Sequence, residues 1–374
     1  MQRRTALIVL AGLGAAVAGC TPAAPESPSP SATPTSTPTP SPSPSPTPEP
    51  GPRWPLTGRP LDDPAAAAHA AIAVKVPDNR NEHPQAGIND ADIVFVQLEG
   101  YVDSRGESAT RLVPVYHTTF PDWVAPVRSV RPVDVPLLAP MRAVVGSTGS
   151  SDWVGNYARQ FADHLDVSLT NLAARKRGAY SVDQSRVRTV KGTTYYDRAI
   201  VCHPQVLAGL AAEPFTAGPA QPYLPWAVTD ADTSTASGAP AAKVVVPWKA
   251  KGSYDMTYDW DAGQGVYLRS VPWGAHTLAG GQRVTTDNVL VIKAGQRVAK
   301  LAGGEGAPDP VHDIIDASGV FFYAHGGAVV QGTWAKGAVE TPFTFTLDDG
   351  RPLAMAPGRT FIELPNTDAD VRFA

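Results

Sequence analysis

Arginine is the side chain best suited to hold a carboxylate or a phosphate, because its planar guanidinium donates two parallel hydrogen bonds. Arg128 and Arg131 lie close together, with Ser129 between them, in the run Pro126-Val127-Arg128-Ser129-Val130-Arg131-Pro132. The flanking prolines favour extended or turned backbone. On an extended segment side chains alternate, so Arg131 shares the face of Ser129 and Arg128 takes the opposite one. Lys75, Asp78, Glu99 and Arg111 fall beside apolar runs that would flank this turn. Burying an unpaired charge costs several kcal/mol, so charges set beside strands are either paired or used. Asp78 and Glu99 satisfy two cations at most. Lys75, Arg111, Arg128, Ser129 and Arg131, with His203, are therefore candidates for one anion-binding pocket that includes Asp78 and Glu99 and takes a phosphate or an acidic sugar. The competing reading is structural, with Arg128 and Arg131 paired to Glu99, Asp134 or Asp78.

Other constellations fall short of a catalytic signature. Gly146-Ser147-Thr148-Gly149-Ser150 lacks the spacing of a nucleophile elbow. No pair of histidines has zinc-hydrolase spacing, and the glycines at 280, 281, 303, 304 and 306 lack the strand-to-helix setting of a nucleotide loop. Cys202 adjoins His203, but neighbours on an extended segment face opposite ways, so Cys202 reads as a small buried thiol. Asp230, Asp232 and Ser234 alternate like the start of a calcium loop without its glycine and distal glutamate. No catalytic residue, metal site or cofactor is assigned. A net charge of -4 argues against a nucleic-acid partner.

The elements that must position these groups divide the chain. From 54 to 217, apolar runs rich in β-branched residues at 72–76, 92–96, 112–116 and 143–145 read as buried strands. Asp152 to Ala162, with Trp153, Tyr157 and Phe161 at four-residue spacing, and Pro204 to Ala212 read as amphipathic helices. Residues 218–242 are rich in Gly, Pro and polar side chains and read as a solvated linker, and a protease should cut first between about Pro214 and Pro240. From 243 to 374 short strands separated by Gly-rich turns follow one another throughout. The expected class is α+β: a mixed α/β N-terminal domain, then an antiparallel all-β C-terminal domain.

The N-terminus carries a separate message. Arg3 and Arg4 precede a short apolar run that ends at Val17-Ala18-Gly19-Cys20, which has the layout of an export signal closed by a lipobox. Residues 1–20 are thus expected to be a lipoprotein signal peptide, with Cys20 acylated. Residues 21–53 are almost wholly Pro, Ser, Thr and Ala, a composition that cannot bury a core. In polyproline geometry this tether could span roughly 100 Å. Abundant Ala, Gly, Pro and Arg fit a GC-rich genome such as that of an actinobacterium.

Several stretches together resemble the YerB-like lipoproteins: Pro55-Leu56-Thr57-Gly58, Pro84-Gln85-Ala86-Gly87, Ala91-Asp92-Ile93-Val94, Thr110-Arg111 and Pro126-Val127-Arg128-Ser129-Val130-Arg131, followed by Tyr258-Asp259-Trp260, Tyr267-Leu268-Arg269, Asp287-Asn288-Val289, Gly332-Thr333-Trp334-Ala335-Lys336, Asp349-Gly350 and Pro357-Gly358-Arg359-Thr360-Phe361-Ile362. The resemblance covers nearly all of residues 54–365. It implies a two-domain extracytoplasmic lipoprotein with no assigned activity. Where many relatives show His-Ala-Gly-Gly-Ser this chain has Val145-Gly146-Ser147-Thr148-Gly149, and where they show Pro-His-Asn it has Cys202-His203-Pro204. A role for the first of those histidines does not carry over. The leading expectation is a non-catalytic module on the outer face of the cell membrane, held there by its lipid anchor. It would bind an anionic cell-wall component or an envelope protein. The alternative is a phosphotransferase or hydrolase acting on polyprenyl-linked phosphates, by analogy with the LytR-CpsA-Psr phosphotransferases, which also carry arginines beside strands.

Overall fold

The β-branched runs pair with one another, and they do so across the length of the chain. The computed structural model describes residues 51–102, 108–248 and 254–374; the lipobox cysteine Cys20 and most of the expected tether lie outside them. The large central sheet runs, from one edge to the other, through Ala239–Pro240, Ala328–Lys336, Ala317–His325, Asn288–Ile292, Thr360–Glu363, Ile93–Val102, Ser108–Tyr116, Ile72–Val74 and Val144–Gly146. Val76–Pro77 also pairs with Ser108–Tyr116, and Thr344–Leu347 with Ala328–Lys336. Asn288–Ile292 and Ile72–Val74 are buried at every position, as expected of strands covered on both faces.

A second, antiparallel sheet orders Gly274–Ala275, Val266–Val271, Asp255–Asp261, Lys243–Pro247 and Arg372–Phe373, with Thr285–Thr286 also on Val266–Val271. Among the described residues the α-helices are short and fall before residue 218: Asp134–Leu138, Asp152–Arg159, Asn171–Ala174 and Pro204–Gly209. Pro204 opens the last of these, at a position where a missing N–H costs nothing. Trp153 and Tyr157 bury the face that their spacing marks out, and Phe161 lies beyond the helix end. The class is α+β, mixed in the N-terminal half and β-rich in the C-terminal half. Within the β-rich half, Thr360–Glu363 departs from antiparallel pairing: it runs parallel to Asn288–Ile292 on one side and to Ile93–Val102 on the other.

Two segments differ from their expected solvation. Residues 218–242 are not a free connection: Tyr223, Leu224, Thr233, Ser234 and Thr235 are buried. Ser234 and Ala354 exchange hydrogen bonds of 2.9 Å, and Ala239–Pro240 adds an edge strand to Ala328–Lys336. A sheet edge leaves backbone groups unpaired, and this polar stretch satisfies them, so first cleavage there is no longer expected. Arg53, at the end of the expected tether, already donates to the carbonyls of Gly58 (2.8 Å) and Val228 (2.7 Å). Among the described residues no helix is long and apolar enough to cross a membrane.

Candidate functional site

The Pro126–Pro132 segment is pinned between two loops. Arg128 N–H donates to the Lys75 carbonyl (2.8 Å), Thr148 N–H to the Arg128 carbonyl (3.0 Å) and Val130 N–H to the Gly149 carbonyl (2.9 Å). Alternation then sends Arg128 and Arg131 to different places, and the expected single pocket divides into three, with His203 outside all of them.

Lys75, Glu99, Arg111, Ser129 and Arg131 form one cluster. Arg111 faces Gln97 across the sheet and grips Glu99 with Nε (2.7 Å) and Nη2, while its Nη1 donates to the Ser129 carbonyl (2.8 Å). Ser129 Oγ meets Thr148 Oγ1 at 3.2 Å. Lys75, fully buried, donates to Asp134 Oδ1 at 2.5 Å, and Asp134 also accepts from Gln97 Nε2 (2.7 Å) and the Arg131 N–H (2.6 Å). Arg131 lies 3.9 Å from Glu99 and 3.6 Å from Asp309. The positive remainder inferred from Asp78 and Glu99 alone is therefore absent, because Asp134 and Asp309 supply the missing carboxylates. Burial pushes the Lys75 ammonium down to about 8, with Asp134 opposing and Arg111 adding to the shift. Gln97 Oε1, Arg131 Nε and His312 Nδ1 are buried here without hydrogen-bond partners. The hairpin of Gly295–Ala299 and Asp309–Asp313 carries Asp309 and His312, and Arg131 and Asp309 keep 18% of their side-chain surface exposed.

Asp78 belongs to a second, fully buried network whose proton positions follow from one fixed donor. The Arg269 guanidinium can only donate, so His276 Nδ1, 2.7 Å from Arg269 Nη1, must accept. The proton on His276 therefore sits at Nε2 and is given to Gln85 Oε1 at 2.8 Å. That fixes the Gln85 amide, whose Nε2 donates to the Pro77 carbonyl (3.0 Å) and Asp78 Oδ1 (3.2 Å). His83 Nε2 lies 2.9 Å from Asp78 Oδ1 and 3.1 Å from Gln85 Nε2; with the two amide protons taken by Pro77 and Asp78, and with ionised Asp78 able only to accept, the His83 proton points from Nε2 to Asp78. Asp78 Oδ2 accepts from Thr110 Oγ1 (2.9 Å) and Arg269 Nη2 (2.7 Å). Burial opposes the charge on Asp78, but Arg269 and the His83 hydrogen bond outweigh it and hold the carboxyl well below the usual range. Burial, with Arg269 beside it, keeps His276 neutral well below its ordinary value. On its far side Arg269 Nε reaches Tyr258 Oη (3.3 Å), which donates to Glu363, and Trp248 Nε1 donates to the other Glu363 oxygen (2.8 Å).

Asp78, His83 and His276 offer ligand atoms within 4.8 Å of one another, the spacing of a metal site. The donor set does not fit one. Both His276 nitrogens and both Asp78 oxygens are already committed, and a guanidinium stands 2.7 Å from two of the three residues.

His83 reaches the surface. It lines a cleft of about 680 Å³ with Asn81, Glu82, Pro84, Trp123, Asp183, Ser185, Arg186, Arg188, Arg198, Ala279 and Gly280. A second hollow of about 520 Å³ shares Trp123, Ala279 and Gly280 and continues past Phe120, Asp90 and Asp122. The two make one groove that passes a partly exposed tryptophan. Arg128 belongs at this rim, paired with Glu82 and 3.5 Å from Asp197. Arg188 holds Asp197 with two 3.0 Å bonds, and Arg186 pairs with Asp183 at 3.2 Å. Arg198 makes no hydrogen bond among the described residues; its closest carboxylates are Glu82 at 3.8 Å and Asp197 at 4.0 Å. His203 lies apart, between Ser181 Oγ (2.8 Å) and the Asp122 carbonyl (2.9 Å).

Sequence reasoning missed His83, Arg186, Arg188, Arg198, Arg269, His276 and Glu363. A signal existed for some of them: Arg269 interrupts an apolar strand face beside Tyr267, and His83-Pro84-Gln85 follows Asp78 closely. Nothing local marks His276 or Glu363.

Comparisons with known proteins place the fold. The N-terminal domain model of DUF3048, described as a protein of unknown function, matches residues 56–199, and the C-terminal domain model matches residues 244–362. The crystal structure of the YerB protein from Bacillus subtilis is similar at a TM-score of 0.64 and 19% identity, over 86% of this chain and 99% of that one. No curated protein matches the chain. With both domain models in their expected order and the same fold in the solved structure, this chain belongs to the YerB-like DUF3048 family.

Proposed function

We propose that this protein is an envelope lipoprotein whose folded part binds an anionic cell-wall ligand in the cleft beside His83. The observation that carries the reading is Arg198. A guanidinium on the wall of this cleft, with no hydrogen bond among the described residues and its Nε buried 3.8 Å from Glu82 and 4.0 Å from Asp197, still has its terminal donors for an incoming anion. Arg186 and Arg188 flank it from the same arm of the chain, and Trp123 offers a ring face. The location rests on the lipobox at Cys20 and the tether that follows it.

Two measurements test the two parts. Titrating the full chain with inorganic phosphate should give saturable binding, and Arg198→Gln should weaken it by about ten- to a hundredfold, the worth of one charge-assisted hydrogen bond. No saturable binding by the parent, or equal binding by the variant, would rule the site out. Cys20→Ala should leave the membrane fraction while keeping the parent's melting temperature, and its retention after a salt wash would remove the anchor from the account.

A further inference from the structure

We infer that this cleft is also a reaction centre, in which His83, oriented by Asp78, acts as general base for the attack of water on a phosphodiester held against Arg198. The inference rests on the anion-binding reading of the same cleft.

The proton positions carry it. The donors that start at Arg269 and the ionised Asp78 carboxylate, which can only accept, leave the His83 proton on Nε2, directed at Asp78 Oδ1 2.9 Å away. The lone pair is then on Nδ1, which has no partner among the described residues and is not among the atoms sealed from solvent. The ring is fixed from two sides by Trp273, at 4.9 Å between centroids, and His276, at 4.8 Å. A buried carboxylate that orients one imidazole nitrogen while the other faces a solvent-filled cleft is the arrangement a general base requires. Asp78 is fully buried and touches no ligand, so it is a positioning residue.

A purely structural role explains Asp78 but not His83. Without the imidazole, Asp78 loses one of the hydrogen bonds that hold its carboxyl low but still accepts from Gln85, Thr110 and Arg269, so its burial does not call for a ring whose other nitrogen is left open. The Lys75 cluster, by contrast, balances its own charges: Lys75, Arg111 and Arg131 against Glu99, Asp134 and Asp309.

In the step, the water oxygen bonds to phosphorus as its proton passes to His83 Nδ1. The ester P–O bond breaks, and the leaving oxygen takes the proton back from the imidazolium. One diester and one water become one monoester and one alcohol. Arg198 meets the charge that gathers on the phosphoryl oxygens. The charged and titratable groups around His83 are Asp78, Arg269 and His276 behind it, and Glu82, Asp183, Arg186, Arg188 and Arg198 around the cleft.

The test uses the full chain in detergent with bis(4-nitrophenyl) phosphate, following release of 4-nitrophenolate, with inorganic phosphate binding measured separately. His83→Gln should lower kcat about 100-fold or more with little change in KM, whereas Arg198→Gln should raise KM. His83→Ala should recover turnover when imidazole is added, a response that a merely structural histidine does not give. Thermal melts establish that each variant is folded. If the parent binds phosphate but does not cleave the diester, or if folded His83→Gln keeps full turnover, this inference is overturned and the binding reading stands. If the parent binds no phosphate, both fall.

Discussion

Glu363 is a carboxylate with no exposure, held by Tyr258 and Trp248 on the far side of Arg269 from Asp78. The two acids share a cation but not a charge state. Arg269 lies against Asp78 and stabilises its ionised form. Burial pushes the Glu363 carboxyl up to about 7, against the smaller opposing pull of Arg269 and the hydrogen bonds from Tyr258 and Trp248. An unfolded Glu363 would titrate near 4.5. Between those values the folded chain keeps a proton that the unfolded chain has released. This contribution to stability is therefore complete below about pH 4.5 and is lost as the pH rises through 7. The full effect is about 3 kcal/mol at roughly 1.4 kcal/mol per pH unit. Glu363→Gln imitates the protonated side chain and should remove that component. Urea unfolding of parent and variant between pH 4.5 and 8 should show stability falling more steeply with pH in the parent, and parallel curves would refute the assignment.

The hairpin of Gly295–Ala299 and Asp309–Asp313 joins the sequence halves at the level of elements. Its connecting loop lies on the helix Asp152–Arg159: Trp153 N–H donates to the Glu305 carbonyl (3.3 Å), Trp153 Nε1 to Ala307 (2.9 Å) and Asn156 Nδ2 to Gly303 (2.7 Å). Gly304 makes this approach possible. Its φ is +133°, and a Cβ there would stand 2.7 Å from the Trp153 nitrogen. Gly304→Ala should thus cost about 1–3 kcal/mol, the usual size of local backbone strain. It should also lift the loop, so that hydrogen exchange of the hairpin amides speeds up more than exchange in the central sheet. Unchanged hairpin protection would mean that the loop contact is incidental. This element also shows what was legible beforehand. The strands were readable because β-branched runs announce themselves locally, and the alternation of Arg128 and Arg131 followed from extended backbone. Asp309 was not readable as a partner of Arg131, because a hairpin from the far half of the chain delivers it. Asp134 was named as a partner for Arg128 or Arg131, but it begins a one-turn helix with no periodic signature, and nothing local showed that it would hold Lys75. His83 acquires its role only when Val266–Val271 brings Arg269 to Asp78. Ion pairs between distant segments leave no trace in local pattern, and that is why the expected pocket came apart.

At the scale of the whole molecule, residues 49–374 form one compact unit, and its central sheet draws strands from both sequence halves. Ile93–Val102 pairs on one side with Thr360–Glu363, and Asp78 is neutralised by Arg269. A fragment of residues 54–217 would expose that strand's edge and leave a buried carboxylate without its cation, a loss of several kcal/mol. Such a fragment should be largely unfolded in solution, as read by the dispersion of its amide resonances. A sharp, well-dispersed spectrum would show that the N-terminal half folds by itself. The place of Thr360–Glu363 in the sheet also bears on how the protein is made. Synthesis runs from the N-terminus, yet the strand that bridges Ile93–Val102 and Asn288–Ile292 emerges after both of them. Until it does, two apolar strand edges stay open, and open edges invite pairing with other chains. Closure of the core therefore waits until Glu363 has been made, so a ribosome that stops a dozen residues short of it releases a chain that cannot seal itself.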